Sequence, residues 1–137
     1  MCAHAALSRA LDEALESSCE LPLLTYEVLA RLAEAPGRRL RMQELAELLP
    51  VTKSGLTRLV DRMERAGLAR RELCPSDRRG TFAALTQQGR EALERAGEVE
   101  VRVLRERLTD LEEEELAALR TACAKIATAQ RRRTNRS

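Results

Sequence analysis

The sequence predicts a mainly α-helical fold of the α+β class, with about six helices and one β-hairpin. Hydrophobic residues make up 44% of the 137 residues but aromatic residues only 1%. The apolar material is therefore mostly Leu, Ala and Val, and it recurs at helical spacing over most of the chain. The exception is CPSDRRGT, residues 74–81, where proline, aspartate and glycine in close order indicate a turn.

Three helices are expected before residue 51. In HAALSRALDEALESS, apolar residues recur every three or four positions, which indicates an amphipathic helix: Leu7, Ala10, Leu11, Ala14 and Leu15. Thr25 is expected to cap a second helix, YEVLARLAEA, which ends at Pro36-Gly37. The third helix, MQELAELL, ends at Pro50, because proline cannot continue a helix.

A fourth helix, TKSGLTRLVDRMERAG, is expected between an N-cap at Thr52 and a stop at Gly67. Four apolar residues at helical spacing form one narrow stripe, which we expect to be buried: Leu56, Leu59, Val60 and Met63. At 100° per residue, polar side chains fall opposite and beside that stripe. The helix is therefore predicted to expose a polar face that is rich in arginine.

The runs LARREL and TFAAL lie on either side of the turn and are expected to pair as a hairpin, with Arg78 and Arg79 at its tip. Thr86 is expected to cap a long helix from about residue 87 to 107. A last helix is expected to begin at Thr109, through a capping box with Glu112.

Charge is distributed unevenly along the chain, although its formal net charge is only +2. Residues 38–79 hold 11 basic and 6 acidic side chains, whereas residues 1–37 hold 2 and 6, and residues 80–130 hold 7 and 10. A basic segment between acidic ends is typical of a module that binds polyanions.

Membrane and metal-site signals are weak in this sequence. No stretch approaches the roughly 20 apolar residues of a membrane span, and the first residues lack the pattern of a signal peptide. We therefore expect a cytoplasmic protein with no membrane association. The cysteines form no C-x-x-C pair and His4 is the single histidine, so neither a metal site nor a cofactor is expected.

The order helix, short break, polar-faced helix, strand, basic turn, strand predicts a winged helix-turn-helix. In that arrangement the second helix enters the major groove of DNA. Residues 41–90 also resemble the MarR-type transcription regulators. The fragments SGLTRLVDRMERAGL, DRRG and LTQQG are similar to the recognition helix, the wing and the start of the following helix in that family. Each fragment alone is common, whereas the three together are specific.

The resemblance implies a homodimer that reads a pseudo-palindromic site in double-stranded DNA. Residues 1–24 and 87–130 would form the helical dimerisation region and residues 25–86 the DNA-binding domain. The first and the last two helices carry thin apolar seams, which a dimer would bury. The remaining residues, 131–137, are expected to form a disordered basic tail.

The resemblance also implies the contact residues. In the recognition helix, hydroxyl, ammonium and guanidinium groups would meet base edges or phosphates, from Lys53, Ser54, Thr57, Arg58 and Arg62. Arg79 matches the wing arginine that the family places in the minor groove, beside Arg78, and Asp77 would orient it through a charge-assisted hydrogen bond. Thr52 is interpreted as a cap, and Asp61 as an internal partner of a basic side chain.

Alternatives to these roles remain open. Arg62 could be a solvated partner of Asp61 or Glu64, and the turn could be a solvated hairpin end.

The expected function is a repressor released by a small-molecule effector, with Tyr26 in a candidate effector pocket. One alternative is a thiol-based redox-sensing regulator that uses Cys19, and another is a helical protein-interaction dimer without DNA binding. The sequence offers no nucleophile–base pair or metal cluster, so we do not expect an enzyme.

Overall fold

A computed structural model describes the backbone of residues 3–134 and, within that range, the side chains other than those of residues 77–79 and 126–134. The chain divides into two compact units, Met1–Val103 and Leu104–Ser137. The predicted fold class is confirmed, since the described residues form six α-helices and one antiparallel sheet: α1 (Ala3–Cys19), α2 (Leu23–Glu34), β1 (Arg39–Arg41), α3 (Met42–Leu48), α4 (Lys53–Arg65), β2 (Ala69–Cys74), β3 (Asp77–Leu85), α5 (Gln87–Arg107) and α6 (Glu113–Thr134).

The core of the first unit lies between its helices and one face of the sheet. Fully buried side chains come from α1, α2, α3 and α4, among them Leu15, Leu29, Leu45 and Met63. All four residues of the predicted stripe on α4 are buried, as the sequence indicated. Burying a side chain of this size contributes about 1.5–3 kcal/mol, so the stripe fixes which face of α4 remains in solvent.

The sheet has the strand order β1-β3-β2, with both pairs antiparallel. The sequence did not predict β1, a three-residue strand. It also placed the start of β3 too late, because this strand begins at Asp77 rather than Thr81 and the turn is Pro75-Ser76. The backbone of Arg78 and Arg79 therefore belongs to β3 and not to the tip of the turn.

Two predicted helix caps are wrong. Helix α2 begins at Leu23 after Pro22, so Thr25 is a buried residue of its first turn. The amide of Leu23 instead donates to Asp12 Oδ1 at 2.8 Å. Thr109 lies in the turn after α5 rather than at the start of α6, and its hydroxyl donates to the carbonyl oxygen of Arg105 at 2.7 Å.

The start of α5 is fixed by Thr86 and Gly89. As predicted, Thr86 caps the helix, because its Oγ1 accepts from the amide of Gly89 at 2.9 Å. The same hydroxyl donates to the carbonyl of Gly67 at 2.6 Å, and Gly67 ends α4 with a φ of +74°. A Cβ on Gly89 would lie 2.0 Å from the carbonyl oxygen of Leu68. Glycine at this position therefore lets α5 pass directly against the chain that leads into β2.

The second unit contains the end of α5 and all of α6. Helix α6 begins at Glu113, where the carboxylate of Glu115 accepts from the amide of Glu112 at 2.9 Å. It runs to Thr134, past the predicted boundary at residue 130, and residues 135–137 of the predicted tail lie outside the described residues. In the part of the chain that the structure describes, no helix is long and apolar enough to cross a membrane.

Candidate nucleic-acid interface

Helix α4 presents the predicted contact residues on its solvent face. Its N-terminus is capped as predicted, with Thr52 Oγ1 accepting from the amide of Gly55 at 3.1 Å. Because the buried stripe occupies the opposite side, all five predicted recognition-helix side chains are exposed: Lys53, Ser54, Thr57, Arg58 and Arg62. The structure thus brings these five residues together on one surface.

The two hydroxyls on this surface are already partly engaged. Thr57 donates to the carbonyl oxygen of Lys53 at 3.0 Å, and Ser54 Oγ lies 3.3 Å from Thr52 Oγ1. A hydroxyl that donates within its own helix still has lone pairs with which to accept. Thr57 is therefore suited to accept from an amino group, such as that of adenine or cytosine in the major groove.

Arg71 of β2 joins the hairpin to α4, and the sequence analysis did not identify it. Its guanidinium pairs with Asp61 at 2.8 Å and with Glu64, and it donates to the carbonyl oxygen of Thr57 at 3.2 Å. Its own amide also donates to Glu64 Oε1 at 2.7 Å. The expectation that Asp61 pairs internally with a basic side chain is confirmed. Among the described side chains, the ion pairs of both carboxylates go to Arg71 rather than to Arg62.

The outer face of the sheet carries a second group of charges that the sequence analysis missed. The guanidinium carbons of Arg39 and Arg41 lie 4.8 and 5.7 Å from the centre of the Phe82 ring, within the range of cation–π contacts. Glu72 accepts from Arg70 at 2.9 Å and from Arg39 at 3.0 Å, and these hydrogen bonds lower the pKa of Glu72 below its ordinary value. The alternation in RLR, residues 39–41, places both arginines on one face once β1 is known to be a strand.

A cleft of about 470 Å³ lies between α3, α4 and the hairpin. Its lining includes three cationic side chains, three apolar ones and four other residues: Arg41, Lys53, Arg71, Met42, Ala46, Leu56, Gln43, Thr57, Gly80 and Thr81. Ligand pockets typically range from about 300 to 1,000 Å³ and combine apolar walls with a few polar groups. The cleft therefore has the size of a small-molecule site, and one of its three cations, Arg71, is already paired with Asp61 and Glu64.

The remaining predicted site residues lie elsewhere or outside the described side chains. The side chains of Asp77, Arg78 and Arg79 are outside the described residues, so their contacts stay predictions.

Tyr26 lies in the core of the first unit, and its hydroxyl donates to Glu100 Oε2 of α5 at 2.5 Å. Burial, that hydrogen bond and the charge of Glu100 raise the pKa of Tyr26 above its ordinary value. Tyr26 does not belong to the lining of the cleft.

The three cysteines that the structure describes occupy different environments. Cys19 ends α1 and is half-buried against the core, and its predicted redox role stays a prediction. Cys74 is buried in the hairpin. Cys123 is exposed on α6 in the described chain. His, Cys, Asp and Glu side chains of the described residues form no group of three that could hold a metal ion.

Helices α3 and α4, a short break between them and a following β-hairpin define a winged helix-turn-helix protein. The sequence model of the MarR family matches residues 20–80. Over 77 residues the chain is 40% identical to the transcriptional regulator HosA of Escherichia coli O111:H-, a match that covers 54% of this chain and 56% of HosA. It is 31% identical over 122 residues to the HTH-type transcriptional regulator PecS of Dickeya dadantii, covering 88% of this chain and 72% of PecS.

A solved structure extends the likeness to almost the whole chain. The MarR family transcriptional regulator Sco3205 from Streptomyces coelicolor, crystallised in complex with DNA, superposes with a TM-score of 0.78 and 39% identity. The superposition covers 92% of this chain and 79% of Sco3205. The chain therefore belongs to the MarR family of transcriptional regulators. This membership also supports the prediction that it is not an enzyme.

Proposed function

We propose that the chain is a sequence-specific, double-stranded DNA-binding transcription regulator that acts as a homodimer in the cytoplasm. The observation that carries this proposal is the exposed face of α4, where five polar and cationic side chains stand together beside the hairpin. The second helix of a helix-turn-helix places such a face in the major groove. The DNA complex of Sco3205, a structurally similar family member, supports the same use of the fold.

Each side chain of the face has a distinct chemical role in this proposal. Arg58 pairs with the O6 and N7 atoms of a guanine, while Ser54 and Thr57 contact neighbouring base edges. Lys53 and Arg62 contact phosphates, which position the helix without reading sequence. In the wing, Asp77 orients Arg79 toward the minor groove, beside Arg78.

Dimerisation would cover apolar side chains that the single chain leaves in solvent. Val101 of α5 is 47% exposed, and Leu119 of α6 is 42% exposed. Two-fold symmetry of the protein would then match a pseudo-palindromic site, with one recognition helix on each half-site. Replacing Leu119 with aspartate tests this part of the proposal.

We further propose that the regulator is a repressor released by a small-molecule effector, a small organic anion bound in the cleft. Lys53 and Thr57 line the cleft and also belong to the proposed DNA surface. An anion held there would compete directly with the duplex. Benzoate added to a preformed complex should release DNA from the wild-type protein, with a smaller effect in Met42→Glu, which places a negative charge in the cleft wall.

Selection of bound fragments from genomic DNA tests the central proposal. The purified protein should enrich a two-fold symmetric sequence, and gel-shift titration should show tighter binding to it than to a random duplex. Arg58→Ala should weaken binding to the selected duplex by about 1–3 kcal/mol and change binding to random DNA much less. Arg65→Ala, an exposed arginine in the last turn of the same helix, is the matched control. Failure to enrich any sequence would favour a protein-interaction dimer.

A further inference from the structure

Leu73 is an exposed aliphatic side chain on the hairpin. It is 78% exposed, the highest value among the large hydrophobic residues whose side chains the structure describes. It lies near the end of β2, where it pairs with Thr81 of β3 immediately before the register becomes irregular. An isolated exposed leucine needs no explanation by itself, so its position relative to α4 decides its meaning.

The alternation of side chains along β2 places Leu73 on the α4 side of the hairpin. Side chains two residues apart in a strand point to the same face. Ala69 is buried in the core, and Arg71 reaches the carboxylates of α4. Leu73 continues that row toward the turn. Its cross-strand partner Thr81 lines the cleft together with Lys53, so this face of the hairpin lies beside the first turn of α4.

Docking on DNA gives this face a defined neighbour. When a recognition helix enters the major groove and a wing enters the adjacent minor groove, one sugar–phosphate strand separates the two grooves. In that arrangement the strand would pass between α4 and the hairpin, along the face that carries Leu73. Lys53 on α4 offers an ammonium group to its phosphates, whereas Leu73 offers only carbon.

We infer that Leu73 is an additional DNA-contact residue, which packs against the deoxyribose carbons of the strand between the two grooves. This inference rests on the proposed function and extends it to a contact of different chemistry. Removing an aliphatic side chain from water on binding is favourable and involves no counterion. The contact should therefore strengthen binding without changing its dependence on salt.

Leu73→Ala separates this contact from the ionic ones. With the duplex selected by the wild-type protein, the variant should bind about 3- to 10-fold more weakly, as expected for loss of a few buried carbon atoms. The slope of log K against log salt should stay at the wild-type value, because no phosphate contact is lost. Leu48→Ala, which truncates another exposed leucine at the end of α3, should bind as the wild type does.

Hydroxyl-radical cleavage of the complex reports the same contact at the level of single sugars. The wild-type protein should protect one or two deoxyriboses per half-site between the groove segments occupied by α4 and by the wing, and Leu73→Ala should lose that protection alone. Wild-type affinity and an unchanged footprint for Leu73→Ala would overturn the inference. A changed particle size for Leu73→Ala in light scattering would also overturn it, because Leu73 would then join copies of the chain. If the wild-type protein selects no sequence, the proposed function itself fails.

Discussion

Replacement of Gly89 by alanine tests how closely α5 packs against the chain that leads into β2. The added Cβ would lie 2.0 Å from the carbonyl oxygen of Leu68, 2.9 Å from its carbonyl carbon and 3.0 Å from Leu85 Cδ1. Relief of the first contact requires α5 or the chain before β2 to move by more than 1 Å, since ordinary contacts begin near 3.4 Å. Overpacking of a rigid site lowers the free energy of unfolding by about 3 kcal/mol. Alanine raises it by about 1 kcal/mol relative to glycine within a helix. We expect a net loss of about 2 kcal/mol.

Gly97 is the matched control, because it lies in the same helix and a Cβ there meets nothing within 4 Å. Gly97→Ala should therefore raise the free energy of unfolding by up to about 1 kcal/mol through helix propensity alone. Urea unfolding followed by circular dichroism, at one fixed chain concentration, measures both variants against the wild type. If Gly89→Ala proved as stable as Gly97→Ala, the close approach of α5 to Leu68 would be refuted.

Three further predictions follow from named contacts. Thr52→Ala should lower the free energy of unfolding by about 1 kcal/mol, because the helix loses the hydrogen bond from the Gly55 amide to the cap. Thr52→Ser should retain most of the wild-type stability. Leu119→Asp should yield monomers in light scattering, because a charge cannot be buried unpaired in the proposed interface; a full-sized dimer would contradict that interface. The raised pKa of Tyr26 means that the folded state holds the phenol proton more tightly than the unfolded state. Stability should therefore fall as pH rises above about 10, the ordinary value for tyrosine, and the part of this loss due to Tyr26 should vanish in Tyr26→Phe.

Periodicity predicted the features of the fold that depend on long apolar repeats. The buried stripe of α4, its cap at Thr52 and the extent of α5 all agree with the structure. A narrow stripe at helical spacing has one way to be buried, so it also specifies which polar residues remain exposed. The recognition surface could therefore be predicted residue by residue without coordinates, although its role in binding is a proposal.

Short elements and two of the four predicted threonine caps, at Thr25 and Thr109, were harder to predict, because local sequence offers more than one solution there. A threonine can accept a hydrogen bond at the start of a helix or donate to a carbonyl at the end of the preceding one, and Thr109 does the latter. Strand β1 contains only three residues, two of them arginine. Its pairing with β3 comes from the tertiary fold, which no periodicity in so short a run can indicate.

The acidic residues of α4 illustrate what only the three-dimensional structure supplies. Asp61 and Glu64 would repel phosphates if they faced a duplex without partners. Arg71 lies on another element, and its pairing with both carboxylates offsets that repulsion. The same contacts tie β2 to α4, so they also fix the spacing between the hairpin and the recognition helix. Adjacent grooves of a duplex have a fixed separation. Because Arg71 holds the wing at a fixed distance from α4, the wing can match that separation before binding. It then loses less conformational entropy when the complex forms.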